Sequence, residues 1–232
     1  MSSANLAGTN LSEADLDNTN LSGANLSSAT LIGVSLINAD LSNANLTGAN
    51  LSSAVLRFAD LTGTNLTGAI VKGADFSEAI LTDANLNYID PLSPPNFSKA
   101  KLDGVAAIGA ELQGANFQGA SIVGSYLDHA NFQGANLAGN ILTNNYFVGT
   151  NLNGADFEGA DISGNNFNGA SLQNVNLKGA IITPDQLQSI IANGFTGILP
   201  DGKSFDVPEP SLFGGIVVGV VGLVGLRVRR KP

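Results

Sequence analysis

Ala44-Asn45-Leu46-Thr47-Gly48-Ala49-Asn50-Leu51-Ser52-Ser53-Ala54 states one five-residue phrase twice and begins it a third time. Working outward from it, a large apolar residue recurs at every fifth position from Leu6 to Leu86. Of these seventeen positions fifteen are Leu, with Val71 and Phe76 as exceptions, a regularity that leaves the fold class little freedom. Two residues before each stands a small residue, Ala in most cases and otherwise Thr9, Thr19, Val34 or Thr64. The unit reads small residue, Asn or Asp, Leu, Ser or Thr, and a variable fifth.

A period of five fits neither the 3.6-residue repeat of a helix nor the two-residue alternation of a long strand. The pattern is satisfied when the small residue and the Leu point inward and the other three point out, so that each pentapeptide is one side of a coil. Stacked coils then bury Leu6, Leu26, Leu46, Leu66 and Leu86 beside columns of Ala. The residue before each Leu gives the number of sides. Asn5, Asn25, Asn45, Asn65 and Asn85 repeat at twenty, as do Asn96, Asn116, Asn136, Asp156 and Asn176, and Tyr126 with Tyr146. Twenty residues are four pentapeptides, which predicts a four-sided coil with Asn ladders up one face.

This array resembles the pentapeptide-repeat family over about three quarters of the chain. The resemblance implies an all-β fold, a right-handed quadrilateral β-helix. It implies little about function, since the roles of that family are mostly unassigned.

The array breaks at Asn87-Tyr88-Ile89-Asp90-Pro91-Leu92-Ser93-Pro94-Pro95-Asn96, whose three prolines cannot donate to a ladder. The period resumes at Phe97 and runs to Ile182 in a register shifted by one. We therefore expect two stacked solenoid segments, 1–86 and 97–182, with residues 87–96 extruded as a loop. Phe is commoner at the centres of the second segment, among them Phe117 and Phe157, which predicts a wider core there. Asn140, Asn145 and Asn165 fall at inward positions, a sign of local distortion or of buried amide pairing. Coils about 4.8 Å apart make a rod about 42 Å long. Its interior is filled by side chains, so function belongs on the outer faces or in the loop.

After Ile182, Thr183 stands as an N-cap, Pro184 at the first helical position, Gln186 three residues after the cap and Gly194 as a stop. This predicts a capping helix over 183–194, with Leu187, Ile190 and Ile191 spaced to cover the last hydrophobic layer. Residues 195–206 read as a linker.

The last segment, 207–232, contains Pro208-Glu209-Pro210, an uncharged and mostly apolar stretch from Ser211 to Leu226, and then the cations Arg227, Arg229, Arg230 and Lys231. In that order the three parts resemble the PEP-CTERM sorting signal of Gram-negative bacteria and cyanobacteria. The resemblance implies processing by a membrane exosortase, with Pro208, Glu209 and Pro210 as its recognition residues. As a helix the apolar stretch would be about 24 Å long, against a hydrocarbon core of about 30 Å. The terminal cations favour a cytoplasmic C-terminus and place the rod across the membrane. Proteins with this tail normally also carry an N-terminal signal, whereas here the first repeat begins at Ala4. The expected location is the cell envelope or membrane, with release outside as a variant, and the cytoplasm if the lack of a signal is genuine.

Composition closes off other classes. The net charge is −9, and four of the ten basic residues lie in the terminal cluster, so the body is more acidic than the whole and repels nucleic acid. With no cysteine there is no thiolate nucleophile and no Cys-based zinc site. His129, the single histidine, stands at an outward position with no nucleophile pattern around it. Asn-x-Ser/Thr triplets such as Asn10-Leu11-Ser12 are by-products of the repeat. No phosphate loop or metal cluster is present, so no cofactor and no small-molecule substrate is expected. The sequence favours a non-enzymatic structural or interaction protein, with a protein partner on an outer face. The alternative is an acidic DNA mimic acting on a topoisomerase, as the resemblance implies for some family members. Asp40 and Asp60 stack on one face, and Asp15, Asp17, Asp75 and Glu78 share another. One net charge per about 4 Å of rod is dilute beside one per about 1.7 Å in duplex DNA.

Overall fold

The computed structural model describes residues 1–90 and 93–205. In the quoted stretch, the Asn45 N–H donates to the Ala24 carbonyl of the coil below at 2.9 Å, and the Leu26 N–H donates to the Asn45 carbonyl at 2.7 Å. Each side of the coil is thus a single parallel bridge, here Asn25 to Asn45 and Asn45 to Asn65. After Leu46 the chain turns a corner, which the Ala49 N–H closes by donating to the Leu46 carbonyl at 3.0 Å. The second corner residue takes a left-handed backbone, φ 62° at Gly48 and 57° at Asn43. The Asn45 side chain locks the same corner: its Oδ1 accepts from the Thr47 N–H at 3.1 Å and from the Thr47 hydroxyl at 2.6 Å. This explains why Asn or Asp precedes the Leu and Ser or Thr follows it. The Asn-x-Ser/Thr triplets are corner locks.

Inside, Leu26, Leu46, Leu66 and Leu86 form a fully buried column, while Leu6 in the first coil is only partly covered. Each buried Leu contributes about 1.5–3 kcal/mol. Ala24, Ala44 and Ala84, two residues before these leucines, are buried beside them. A void of about 10 Å³ among apolar side chains including Leu86, Phe97, Leu112 and Phe117 is too small and too apolar to take a ligand.

Bridges join residues twenty apart from Asn5–Asn25 through Ile70–Asp90, so a coil has four sides. Three bridges, Asp75–Asn96, Ile80–Lys101 and Asn85–Ala106, then span twenty-one, and twenty returns from Asn96–Asn116 onward. The break is therefore one extra residue within a continuous solenoid, and the extruded loop expected over 87–96 is corrected. Ile89 is fully buried and Asp90 bridges to Ile70. The Ser93 and Pro95 carbonyls accept from the Gly73 and Asn116 N–H groups at 3.1 and 3.2 Å. Proline lacks a donor but keeps its acceptor, so the ladder continues on both sides of the break. The rings of Phe76, Phe97 and Phe117 stack across the break at 4.9 and 5.0 Å, making one core of the two expected segments.

The shift also separates the two Asn series. The column from Asn5 to Asn85 continues into Ala106, Tyr126 and Tyr146, whereas Asn96 stands on Asp75. The Asn ladders thus occupy opposite faces, not the single face expected from their spacing.

Of the two options for the inward asparagines, amide bonding holds for Asn145 and Asn165, whereas Asn140 accepts from the Ala120 N–H at 3.1 Å and leaves its buried Nδ2 without a partner. Asn145 accepts at Oδ1 from the Ser125 N–H (2.8 Å) and donates from Nδ2 to the Ile122 carbonyl (2.7 Å). One coil higher, Asn165 accepts from the Asn145 N–H (2.8 Å) and donates to the Leu142 carbonyl (2.7 Å). These amides take the place of the corner bond that Ala closes elsewhere. The series ends on Gln186, whose Nε2 donates to the Ile162 and Asn165 carbonyls at 3.3 and 3.1 Å.

Gln186 belongs to α1, Pro184–Ala192, which opens with a capping box between Thr183 and Gln186. Ile190 is buried, and Leu187 and Ile191 pack against the last layer. Residues 195–206, expected as a linker, instead extend the rod through Phe205. Phe195 is fully buried, and β2 (Gly197–Ile198) pairs parallel with β1 (Val175–Asn176) and antiparallel with β3 (Ser204–Phe205). A side chain on Gly197 would meet the Val175 carbonyl oxygen at 2.0 Å, so only glycine admits this pairing. The apolar C-terminal helix expected in 207–232 lies outside the described residues. Among the described residues no helix is long and apolar enough to cross a membrane.

Candidate interaction faces

The ladder sorts outward residues into four faces. Face I carries residues 5, 25, 45, 65, 85, 106, 126, 146 and 166; face II starts at Asn10, face III at Asp15 and face IV at Asn20. Two turn residues form the corner after each face.

The residues expected as solenoid core are where the period puts them. Leu6, Leu26, Leu46, Leu66 and Leu86 line the inside of face I, and Phe117 and Phe157 the inside of face III, all buried except Leu6. The sorting residues Pro208, Glu209 and Pro210 and the flanking Arg227, Arg229, Arg230 and Lys231 lie outside the described residues.

Charge is unevenly spread. Eleven of the fifteen carboxylates in residues 1–182 stand on faces III and IV and the corners that follow them, joined there by four of the five cations. The shortest ion pair of that region, Lys178 to Glu158 at 2.7 Å, is exposed. Hydrogen bonding from Lys178 holds the Glu158 carboxyl below its ordinary value, and the same bond raises Lys178. Among the described residues, no cluster of His, Asp or Glu could hold a metal ion.

Face I has no charged residue on its ladder. In the lower coils it is an amide ribbon, with Asn25 Nδ2 donating to Asn5 Oδ1 at 3.2 Å and Asn45 Nδ2 to Asn25 Oδ1 at 3.4 Å. In the upper coils the ribbon gives way to Tyr126 and Tyr146, whose rings stack at 5.2 Å and 3°. Tyr88, on the corner beside this face, packs beneath Gly109 of the next coil, and His129 packs beneath Gly149 in the same way; a Cβ on either glycine would come within 2.8 Å of the ring below it. All three tyrosines and the only histidine thus share one side. The spacing of Tyr126 and Tyr146 signals part of this group; Tyr88 is hidden from sequence reading because the one-residue shift falls after it.

A family model of pentapeptide repeats matches in eight copies over residues 1–36, 29–68, 59–90, 96–134, 123–159 and 141–179. The chain belongs to the pentapeptide-repeat family. Proteins of this family form right-handed β-helices and are generally non-enzymatic structural or binding proteins. This pentapeptide-repeat protein is similar to HetL of the cyanobacterium Nostoc sp. strain PCC 7120, which is involved in heterocyst differentiation regulation. Identity is 31%, coverage is 87% of each chain and the TM-score is 0.40. It is also similar to QnrB1, a plasmid-mediated fluoroquinolone resistance protein, at 21% identity over 81% of this chain and 90% of that one, TM-score 0.45. A thylakoid-lumen pentapeptide repeat protein of Arabidopsis thaliana shares 24% identity over 64% of this chain and 85% of its own, TM-score 0.33. No curated protein matches the chain.

Proposed function

We propose that this pentapeptide-repeat protein is a non-enzymatic interaction module that binds a protein partner with an outer face and is held at the cell envelope by its C-terminal tail. The observation that carries the first half is the filled interior: Leu, Phe and Ala close every described coil, so recognition falls to the outer faces. The second half rests on the order of Pro208-Glu209-Pro210, the apolar stretch and the terminal cations. By its resemblance to the PEP-CTERM signal, that tail would be read by an exosortase and would bring the membrane in as a partner. The test expresses the gene from its native locus with an internal tag, fractionates cells and reads both termini of the mature protein by mass spectrometry. Cleavage near Pro208 in the envelope or medium supports the tail reading; an intact soluble cytoplasmic chain refutes it.

The second reading, an acidic DNA mimic acting on a topoisomerase, draws on the carboxylates of faces III and IV. With four cations among them, those faces carry one net charge per about 6 Å of rod, against about 1.7 Å in duplex DNA. Inhibition of gyrase supercoiling at stoichiometric protein would restore this reading.

A further inference from the structure

We propose that the tyrosine-bearing upper half of face I is the docking surface, and that its occupant is a protein segment carrying apolar side chains interleaved with Arg or Lys. The inference deepens the interaction reading above and rests on it.

Three observations carry it. First, Tyr88, Tyr126 and Tyr146 are 63%, 50% and 45% exposed on one side of the rod, and Ile108 and Val148 occupy the corner between them. Partly exposed tyrosines with an apolar body and a polar tip are the residues on which interfaces concentrate their energy. Second, folding does not call for aromatics here. Tyr88 and His129 hold φ of 57° and 58° at corners where glycine is the easier residue, and Tyr126 and Tyr146 stand at ladder positions that Asn fills lower in the column.

Third, the rim has one sign. Asp83 and Asp103 stand on one flank; Asp90, Glu111 and Asp128 stand on the other. Among the described residues, face I, face II and the corners that flank face I carry no Lys or Arg; Lys101, on face IV, reaches Asp103 at 3.9 Å. An aromatic patch between two carboxylate rows complements a segment whose apolar residues cover the rings while its cations meet the rows. Arg also gains from the tyrosine rings through cation–π contact. The four coils from Asn85 to Tyr146 span about 14 Å, the length of a short strand or of a few helical turns.

The protein reports on this face by itself: it has no tryptophan and only three tyrosines, so its intrinsic fluorescence arises here. Full-length protein is titrated with a short Trp- and Tyr-free amphipathic peptide of Leu and Arg, and with analogues in which Gln or Glu replaces Arg. The Arg peptide should perturb tyrosine emission and bind at least about tenfold more tightly than the Gln analogue, with the Glu analogue weakest. Tyr126→Ser/Tyr146→Ser, which leaves every charge in place, should weaken it by at least about tenfold, read by peptide anisotropy. Ile141→Ser/Ile181→Ser on face IV should leave binding unchanged, and the melts of both variants should match the parent. Equal binding of the Arg and Gln peptides, or insensitivity to the tyrosine pair, overturns the proposal. Tighter peptide binding after neutralising Arg227, Arg229 and Arg230 would make the chain's own tail the occupant, and concentration-dependent self-association lost with the tyrosines would make it a second copy; either result also overturns it. In cells, photo-crosslinkers at Tyr146, at Asn131 on face II, at Asn136 on face III and at Ile141 on face IV separate the two readings. A partner crosslinked only from Asn131, Asn136 or Ile141 keeps the interaction reading and refutes this face, whereas none from any face refutes both.

Discussion

Replacing Leu46 with Asp tests whether the solenoid behaves as a stack of coils coupled only to their neighbours. Leu46 is fully buried between Leu26 and Leu66 in the third coil. The change forfeits about 1.5–3 kcal/mol of apolar burial. It also leaves an unpaired polar group inside, costing about 1–3 kcal/mol in its neutral form. The sum, about 3–6 kcal/mol, is a large fraction of a domain's usual 5–15 kcal/mol. In a quasi-one-dimensional stack the damage stays local. Amide exchange should therefore accelerate by about two to four powers of ten at the Leu26, Asn45 and Leu46 N–H groups, which donate to Asn45, Ala24 and Asn65. The Phe117 and Phe157 N–H groups, donating to Asn136 and Asn176 at 2.8 Å, should keep their protection. Burial raises the pKa of the new carboxyl, so its neutral form is tolerated best. The deficit against wild type should widen as pH rises above the ordinary Asp value of about 3.9. Leu46→Asn should show no such slope. Wild-type exchange at Leu46 would refute the inward register, and lost protection at Phe157 would refute nearest-neighbour coupling.

Gly197→Ala places a methyl 2.0 Å from the Val175 carbonyl oxygen at φ 129°, so β2 must leave β1 and uncover Phe195. A loss of at least about 2 kcal/mol is expected in chemical denaturation, and an unchanged midpoint would show that β2 contributes nothing. Gln186→Ala removes one half of the capping box and both donors that close the internal amide series. About 1–3 kcal/mol and early fraying of α1 by circular dichroism are expected. Because the Glu158 carboxyl is held below its ordinary value by Lys178, its contribution is present above the unfolded carboxylate range and is lost as pH falls. Glu158→Gln should therefore flatten the acid side of the Tm–pH curve slightly, and a steeper acid side would contradict that sign.

The inward residues were legible in the sequence because the fold repeats one physical problem at every side. A five-residue period with Leu46 and Ala44 inside admits few backbones, and the twenty-residue recurrence of Asn5 to Asn85 gives four sides. The break was harder. Three prolines read as a loop, but a ladder needs only the acceptors that Ser93 and Pro95 retain, and one added residue restores the register. That same residue moved the second Asn series to the opposite face, so faces could not be matched across the break by counting in twenties. The segment after α1 reads as a linker because its pairing is held by one glycine and one ring contact, buried Phe195 against half-buried Phe205 at 6.0 Å, with no period to announce them. The tyrosine side needed the same correction before Tyr88 joined Tyr126 and Tyr146.

In such a rod the inward positions are dictated by packing and the outward ones are not, so functional information is concentrated where an outer column changes character while the column beneath it stays buried and apolar. Face I meets that condition. Beneath it the core continues from Leu86 through Ala107 and Leu127 to Phe147, all buried. Above it, Asn gives way to Ala106, Tyr126 and Tyr146 within three coils. An Asn ribbon stabilises its own fold by bonding coil to coil, as Asn5, Asn25 and Asn45 do. Stacked tyrosines return part of that through ring contact but leave about half of each side chain in water. The backbone ladder closes without those rings, so the place where they stand is where a partner would find exposed apolar area.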